Sequence, residues 1–242
     1  MNPNLIEGRV SIPAGITPNV LTLLNAQRRF LDNEYDCEGT FSAVQSAAGL
    51  IIDVGYGSKN VIDQCPIRVS TTIDESLDTI NDRFYPKAGS QNVIRVNNTT
   101  GGALSLYFKM MIQPLDPNQG EFRQPDLLVM GVDQSIATGA AGTDVQILDG
   151  RRYEEPTVDS ILNAFMTASA TGLQRRLEIE SSTLIPDSDI NASNRFPRVP
   201  WDLSLAGIEV RQNEKILIPV SNTTGGALTI QALIQLQELA VY

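Results

Sequence analysis

Few residues in this chain are equipped for chemistry, and that scarcity is informative. There is no histidine among the 242 residues. Ser-His-Asp and Cys-His nucleophilic catalysis, zinc sites with imidazole ligands and His-based metal barrels are therefore excluded. So is the one side chain that titrates near neutrality without help. The two cysteines, Cys37 and Cys65, are too few for a disulfide framework or a thiolate metal site; they could pair with each other, but two buried free thiols is the better reading. Asp32, Glu34, Asp36 and Glu38 alternate, so an extended chain would carry four carboxylates on one face. The calcium-loop pattern nevertheless fails: Cys37 stands where a glycine is needed and Ala43 where the bidentate glutamate belongs. A solvated acidic loop is the better reading. Gly55-Tyr-Gly-Ser-Lys59 lacks the third glycine and the following helix of a phosphate loop, and reads as a strand-ending turn. No Asp/Glu couple can be nominated for glycoside hydrolysis, because nothing fixes a separation.

Two arginine pairs are harder to dismiss. Arg28-Arg29 and Arg151-Arg152 are each followed by an aromatic residue, Phe30 and Tyr153. Guanidinium forks suit ion pairs within a domain or contacts between subunits. These four arginines are the candidate interface residues. No catalytic residue, metal ligand or cofactor is expected, and the chain reads as a non-enzyme.

The elements that would position these residues are repeated. Asn98-Thr-Thr-Gly-Gly-Ala-Leu104 recurs letter for letter as Asn222-Thr-Thr-Gly-Gly-Ala-Leu228, 124 residues on. Nine of the eleven positions from Ile94 to Leu104 are identical in the second copy. Weaker matches keep the register: Ser11-Ile12 with Ser135-Ile136, Leu21–Leu24 with Val145–Leu148, the two arginine pairs, and Gly49-Leu50 with Gly172-Leu173. This ordered series predicts an internal duplication, with domains at 1–120 and 121–242 and a turn-rich linker at Gln113–Gly120.

Each repeated heptapeptide reads as a hairpin connection. Asn98, Gly101 and Gly102, and in the second copy Asn222, Gly225 and Gly226, are the expected structural turn residues, with at least one left-handed glycine per turn. Alternation through Leu104, Leu106 and Phe108, and through Leu228 and Ile230, predicts strands with one buried face. Pro219 in the leading strand of the second copy requires an unpaired N–H there, at an edge or a bulge. Further strands are expected at Arg9–Ile12, Val20–Leu24, Leu50–Val54, Ile67–Ile73, Leu127–Val132, Val145–Leu148, Leu173–Ile179 and Gly207–Val210. Val158–Ala168 alone shows helical spacing, and long loops are expected over Asp74–Gly89 and Ser181–Pro200. Two tandem all-β barrels or sandwiches with short helices in their loops follow.

Composition closes other routes. The 18 basic against 28 acidic residues argue against sequence-independent nucleic-acid binding. No apolar run reaches the length of a membrane span. MNPNLIEGRV lacks a basic and then apolar leader, so the sequons at Asn97, Asn98, Asn191 and Asn222 read as turns rather than glycan acceptors. A tandem carbohydrate-binding module would want several exposed aromatics, and Trp201 is the single tryptophan.

Tandem similar β-barrels, acidic charge and no visible chemistry together resemble the double jelly-roll capsid proteins of tailless icosahedral bacteriophages and related viruses. The resemblance is architectural and spans the whole chain. It implies that the two barrels are jelly-roll-like and that the chain is a major capsid protein, or else a decoration or spike-base protein. It also implies a homotrimer of pseudo-sixfold shape within a shell, contacts with other virion proteins, and a place in the virion after synthesis in the host cytoplasm. It carries over no functional residue.

Overall fold

The computed structural model describes residues 4–20, 35–139, 144–180, 182–193, 197 and 202–239. It divides into two compact units, Met1–Val129 and Met130–Leu239.

The first unit contains β1 (Asn4–Ile12), β2 (Gly15–Val20), β3 (Cys37–Gln45), β4 (Leu50–Tyr56), β5 (Lys59–Pro66), the two-residue β6 (Arg68–Val69), the one-turn helix α1 (Glu75–Asp78), β7 (Thr79–Phe84), β8 (Asn92–Asn98) and β9 (Leu104–Pro114). One sheet joins β1, β9 and β3, with β6 and β7 both on β3; the other joins β5, β4, β8 and β2. Among the eight long strands, the first pairs with the last, the last with the third and the third with the sixth. The second, seventh, fourth and fifth make the facing sheet. That order is a jelly roll.

The second unit repeats it. Its strands are β10 (Leu127–Ile136), within which the division between units falls, β11 (Val145–Gln146), β12 (Ser160–Ala168), β13 (Leu173–Ile179), β14 (Ser182–Asp189), β15 (Leu203–Val210), β16 (Ile216–Leu217), β17 (Pro219–Asn222) and β18 (Leu228–Glu238). They run β15-β12-β18-β10 in one sheet and β11-β17-β13-β14 in the other. The chain is a double jelly roll.

Period-two patterning builds both cores. Along β8 and β13 every second residue is buried. Phe41, Ile52, Phe84, Ile94, Leu106 and Met110 fill the first unit, and Leu162, Met166, Leu177, Ile218 and Ile230 the second. Each such side chain contributes about 1.5–3 kcal/mol on leaving water.

Three expectations are corrected. Val158–Ala168 is not a helix but contains strand β12. Both faces of that strand carry apolar residues, Ile161 and Phe165 outward against Leu162, Ala164 and Met166 inward, so its alternation is hidden and a false helical period emerges. The long loops also hold regular structure, α1 and β7 within Asp74–Gly89 and β14 within Ser181–Pro200. β14 is exposed or half-buried along its whole length, so it shows no apolar alternation. Pro219 begins β17, after a break from β16, where a missing N–H costs the ladder least.

The Asn-Thr-Thr-Gly-Gly connections are built alike in the two units. Asn98 Nδ2 donates to Ile12 O at 3.1 Å and Gly102 O at 2.8 Å, while its Oδ1 accepts from Thr100 N and Oγ1. Asn222 Nδ2 donates to Ile136 O at 3.0 Å and Gly226 O at 2.8 Å, and its Oδ1 accepts from Thr224 N and Oγ1. The expectation of left-handed glycines inside these turns is overturned. Gly101, Gly102, Gly225 and Gly226 have no positive φ, and a Cβ on any of them would meet open space. The turn is held by asparagine and threonine side chains instead. The positive φ lies across from it, at Gly49 (+133°) and Gly172 (+117°), whose carbonyls accept the Thr99 and Thr223 N–H groups.

Candidate functional site

The densest set of buried polar groups belongs to the first unit and centres on Asp126, which is fully buried. Gly55 lets the β4–β5 hairpin close, because a Cβ there would overlap Lys59 O; Gly57 turns the chain at φ +55°. The segment that the sequence offers as a failed phosphate loop is thus a tight turn, and it delivers Tyr56 and Lys59 side by side. Tyr56 Oη donates to Asp126 Oδ2 at 2.5 Å and Lys59 Nζ at 2.7 Å. Arg123 Nη2 reaches the same oxygen at 3.3 Å and Tyr56 Oη at 3.1 Å, and its Nε donates to Tyr85 O at 2.6 Å. Tyr85 N donates to Asp126 Oδ1 at 2.6 Å. The Tyr56 ring stacks on Phe84, centroids 6.5 Å apart.

This arrangement is built as a brace. One buried carboxylate gathers two cations, a phenol and a backbone N–H. Burial first, then the hydrogen bond to Asp126, pushes the Tyr56 phenol well above its ordinary value, keeping it a proton donor rather than a nucleophile. The product is a clamp that pins the stretch after β9 back onto β4 and β5.

The raised phenol has a pH consequence. A folded-state pKa above the unfolded one gives stability that is complete below the unfolded value, near 10, and lost as pH rises beyond it. Urea midpoints should therefore fall from about pH 10 upward, and Tyr56→Phe should flatten that alkaline limb relative to wild type. An unchanged limb in the variant would show that Tyr56 does not set it.

The sequence-derived candidates scatter. Arg28, Arg29, Asp32, Glu34 and Trp201 lie outside the described residues. Asp36 Oδ1 accepts Ala88 N at 2.8 Å and Glu38 accepts the Tyr85 hydroxyl, so neither offers a metal ligand set. Among the described residues no group of three or more His, Cys, Asp or Glu is placed to hold a metal. Arg151 and Arg152 sit in a turn after β11, half-buried and exposed respectively, ahead of buried Tyr153. Cys37 and Cys65 are buried thiols. Among the described residues no helix is long and apolar enough to cross a membrane.

Sequence reasoning missed Asp126, Arg123 and Tyr85. The one available signal was the Arg123-x-x-Asp126 charge pair just before an apolar strand, where no periodicity marks a role. It also missed Arg175, 8% exposed in β13 at the place in its unit that Ile52 occupies in the first. Arg175 Nη2 donates to Ser204 O at 2.6 Å, its Nε and Nη1 have no hydrogen-bond partner, and desolvation lowers its pKa.

No family model matches the chain, and no curated protein sequence matches it significantly. Among solved structures it is similar to the major capsid protein P2 of bacteriophage PM2, at 7% identity over 99% of this chain and 98% of that one, with a TM-score of 0.44. It is also similar to a chain of Sulfolobus turreted icosahedral virus, at 12% identity over 98% of this chain and 61% of that one, TM-score 0.27. The PBSX exported protein XepA matches at 10% identity over 96% and 86% of the two chains, TM-score 0.27.

Proposed function

We propose that this chain is a structural virion subunit, a major capsid protein that works by assembling with copies of itself and not by turnover. The observation that carries the reading is the strand order, closed twice in one chain. Each jelly roll satisfies its own core, so its outer faces and edges remain for neighbours. The matched side-chain networks at Asn98 and Asn222 support an origin by duplication of one barrel. Three copies would then set six similar barrels around a ring, the homotrimer of the bacteriophage-type shell, in contact with other virion proteins. Arg28, Arg29, Arg151 and Arg152 are the charged contacts offered to neighbours.

A net charge of −10 keeps separate copies apart. Salt screens that repulsion within about 10 Å at 0.1 M. Sedimentation velocity across a salt series should show larger species appearing as sodium chloride rises, with electron microscopy of the product showing closed or sheet-like assemblies. A strictly monomeric protein at every salt and protein concentration would refute the proposal.

A further inference from the structure

We propose that β1 is a two-fold docking edge, at which a second copy of this chain adds its own β1 in antiparallel register about Gly8. The inference deepens the assembly reading and rests on it. β1 ends its sheet. β9 lies on one side, in unbroken register from Asn4↔Ile112 to Ile12↔Leu104. Along the other side, alternate N–H and C=O groups of a nine-residue strand face outward. An open edge of this length is a template for another strand, and proteins normally blunt it with proline, bulges or short strands.

Among the described residues, the edge strands β14, β2, β15 and β7 are blunted. β14 carries Pro186 and shifts register twice against β13. β2 carries Pro18 and shifts against β8. β15 shifts twice against β12 and turns at Gly207, φ +66°. β7 shifts twice against β3. β1, with the sequence NLIEGRVSI, has neither proline nor bulge.

The order of charges says what docks there. Glu7 and Arg9 are both exposed and share one face, on either side of Gly8. Pairing β1 with itself about Gly8 sets each Glu7 directly opposite the other copy's Arg9. Cross-strand neighbours of unlike charge favour that placement. Ile6 then faces Val10, and the half-exposed Leu5 faces Ser11. Sliding the register by two residues puts Glu7 against Glu7 or Arg9 against Arg9; sliding it by one swaps the faces. The strand is thus self-complementary in one register, the property that a two-fold interface requires. Arg9 is also held in place, its guanidinium carbon 5.1 Å from the Tyr107 ring centroid. A single strand pair buries less than the ~1,200 Å² of a stable complex, so the contact is weak alone and counts through the many copies of an assembly.

The test uses the full-length protein and sedimentation equilibrium across the same salt series, compared at the salt concentrations where wild type associates. Glu7→Arg and Arg9→Glu each turn both cross-strand pairs into like charges, and each should weaken self-association by about tenfold or more. The double variant E7R/R9E rebuilds the same two pairs with signs exchanged and should restore wild-type association. Melting temperatures near wild type for all three keep unfolding out of the reading, since both side chains are exposed. If wild type associates and the single variants associate equally well, or the double variant stays as weak as the singles, the β1 contact is wrong and the assembly reading stands. If wild type never associates, both fall.

Discussion

Alanine at Gly49 or at Gly172 should each cost about 2–4 kcal/mol, lowering the melting transition of the affected unit by several degrees. Two penalties add there. The backbone sits at φ +133° and +117°, where an L side chain is strained. The new Cβ would also overlap Thr100 Cγ2 in one unit and Thr224 Cγ2 in the other. Those threonines cannot swing aside cheaply, because each hydroxyl donates to the asparagine Oδ1 that organises its turn. The control lies a few residues away. Alanine at Gly101, Gly102, Gly225 or Gly226 meets no atom within 4 Å and needs no left-handed backbone, so stability should stay within about 0.5 kcal/mol of wild type. Thermal and urea melts of the six variants give the answer. Equal losses at all six positions would mean that glycine serves the turns through backbone freedom after all.

The second large effect belongs to Asp126. Replacing it with alanine leaves Lys59, Arg123 and the Tyr85 N–H around a buried space with no anion, an arrangement that typically costs about 3–5 kcal/mol. Tyr56→Phe removes one donor and keeps the ring stacked on Phe84, so about 1 kcal/mol is expected. Lys59→Ala should fall between these, since the Lys59 side chain is 29% exposed and its charge is partly solvated. Urea denaturation followed by circular dichroism ranks the three. If Asp126→Ala costs no more than Tyr56→Phe, the clamp is not electrostatic.

The sequence made the doubled β architecture legible because the repeated letters fall where side chains hold the turn. Asn98 and Asn222 are fixed by four hydrogen bonds of the same kind, and substitution there would orphan them. The same comparison aligned Gly49 with Gly172, yet gave that match no role, because the turn they face lies about fifty residues further on and only folding brings it near. β12 was misread since a strand with apolar residues on both faces has no clean period. β14 was missed for the opposite reason, having no buried face at all. The Asp126 clamp stayed hidden because its members come from a hairpin, a strand end and a linker, none of which carries a spacing that sequence can flag. Arg175 is a similar case: its neighbours Leu173 and Leu177 announce an inward face, and nothing in the pattern says that a guanidinium shares it.

The pairing of β1 with β9, and of β10 with β18, also sets the timetable of synthesis. In each unit the first strand made is the one whose partner is made last. Asn98 reaches back 86 residues to Ile12, and Asn222 reaches back 86 to Ile136. A ribosome therefore releases β1 long before β9, and contacts of such sequence separation form slowly. The first barrel closes only once β9 clears the exit tunnel, by which time β10 is next in line to emerge. Until then β1 has no partner strand of its own sheet, and any chain that pairs with it first delays closure of the barrel.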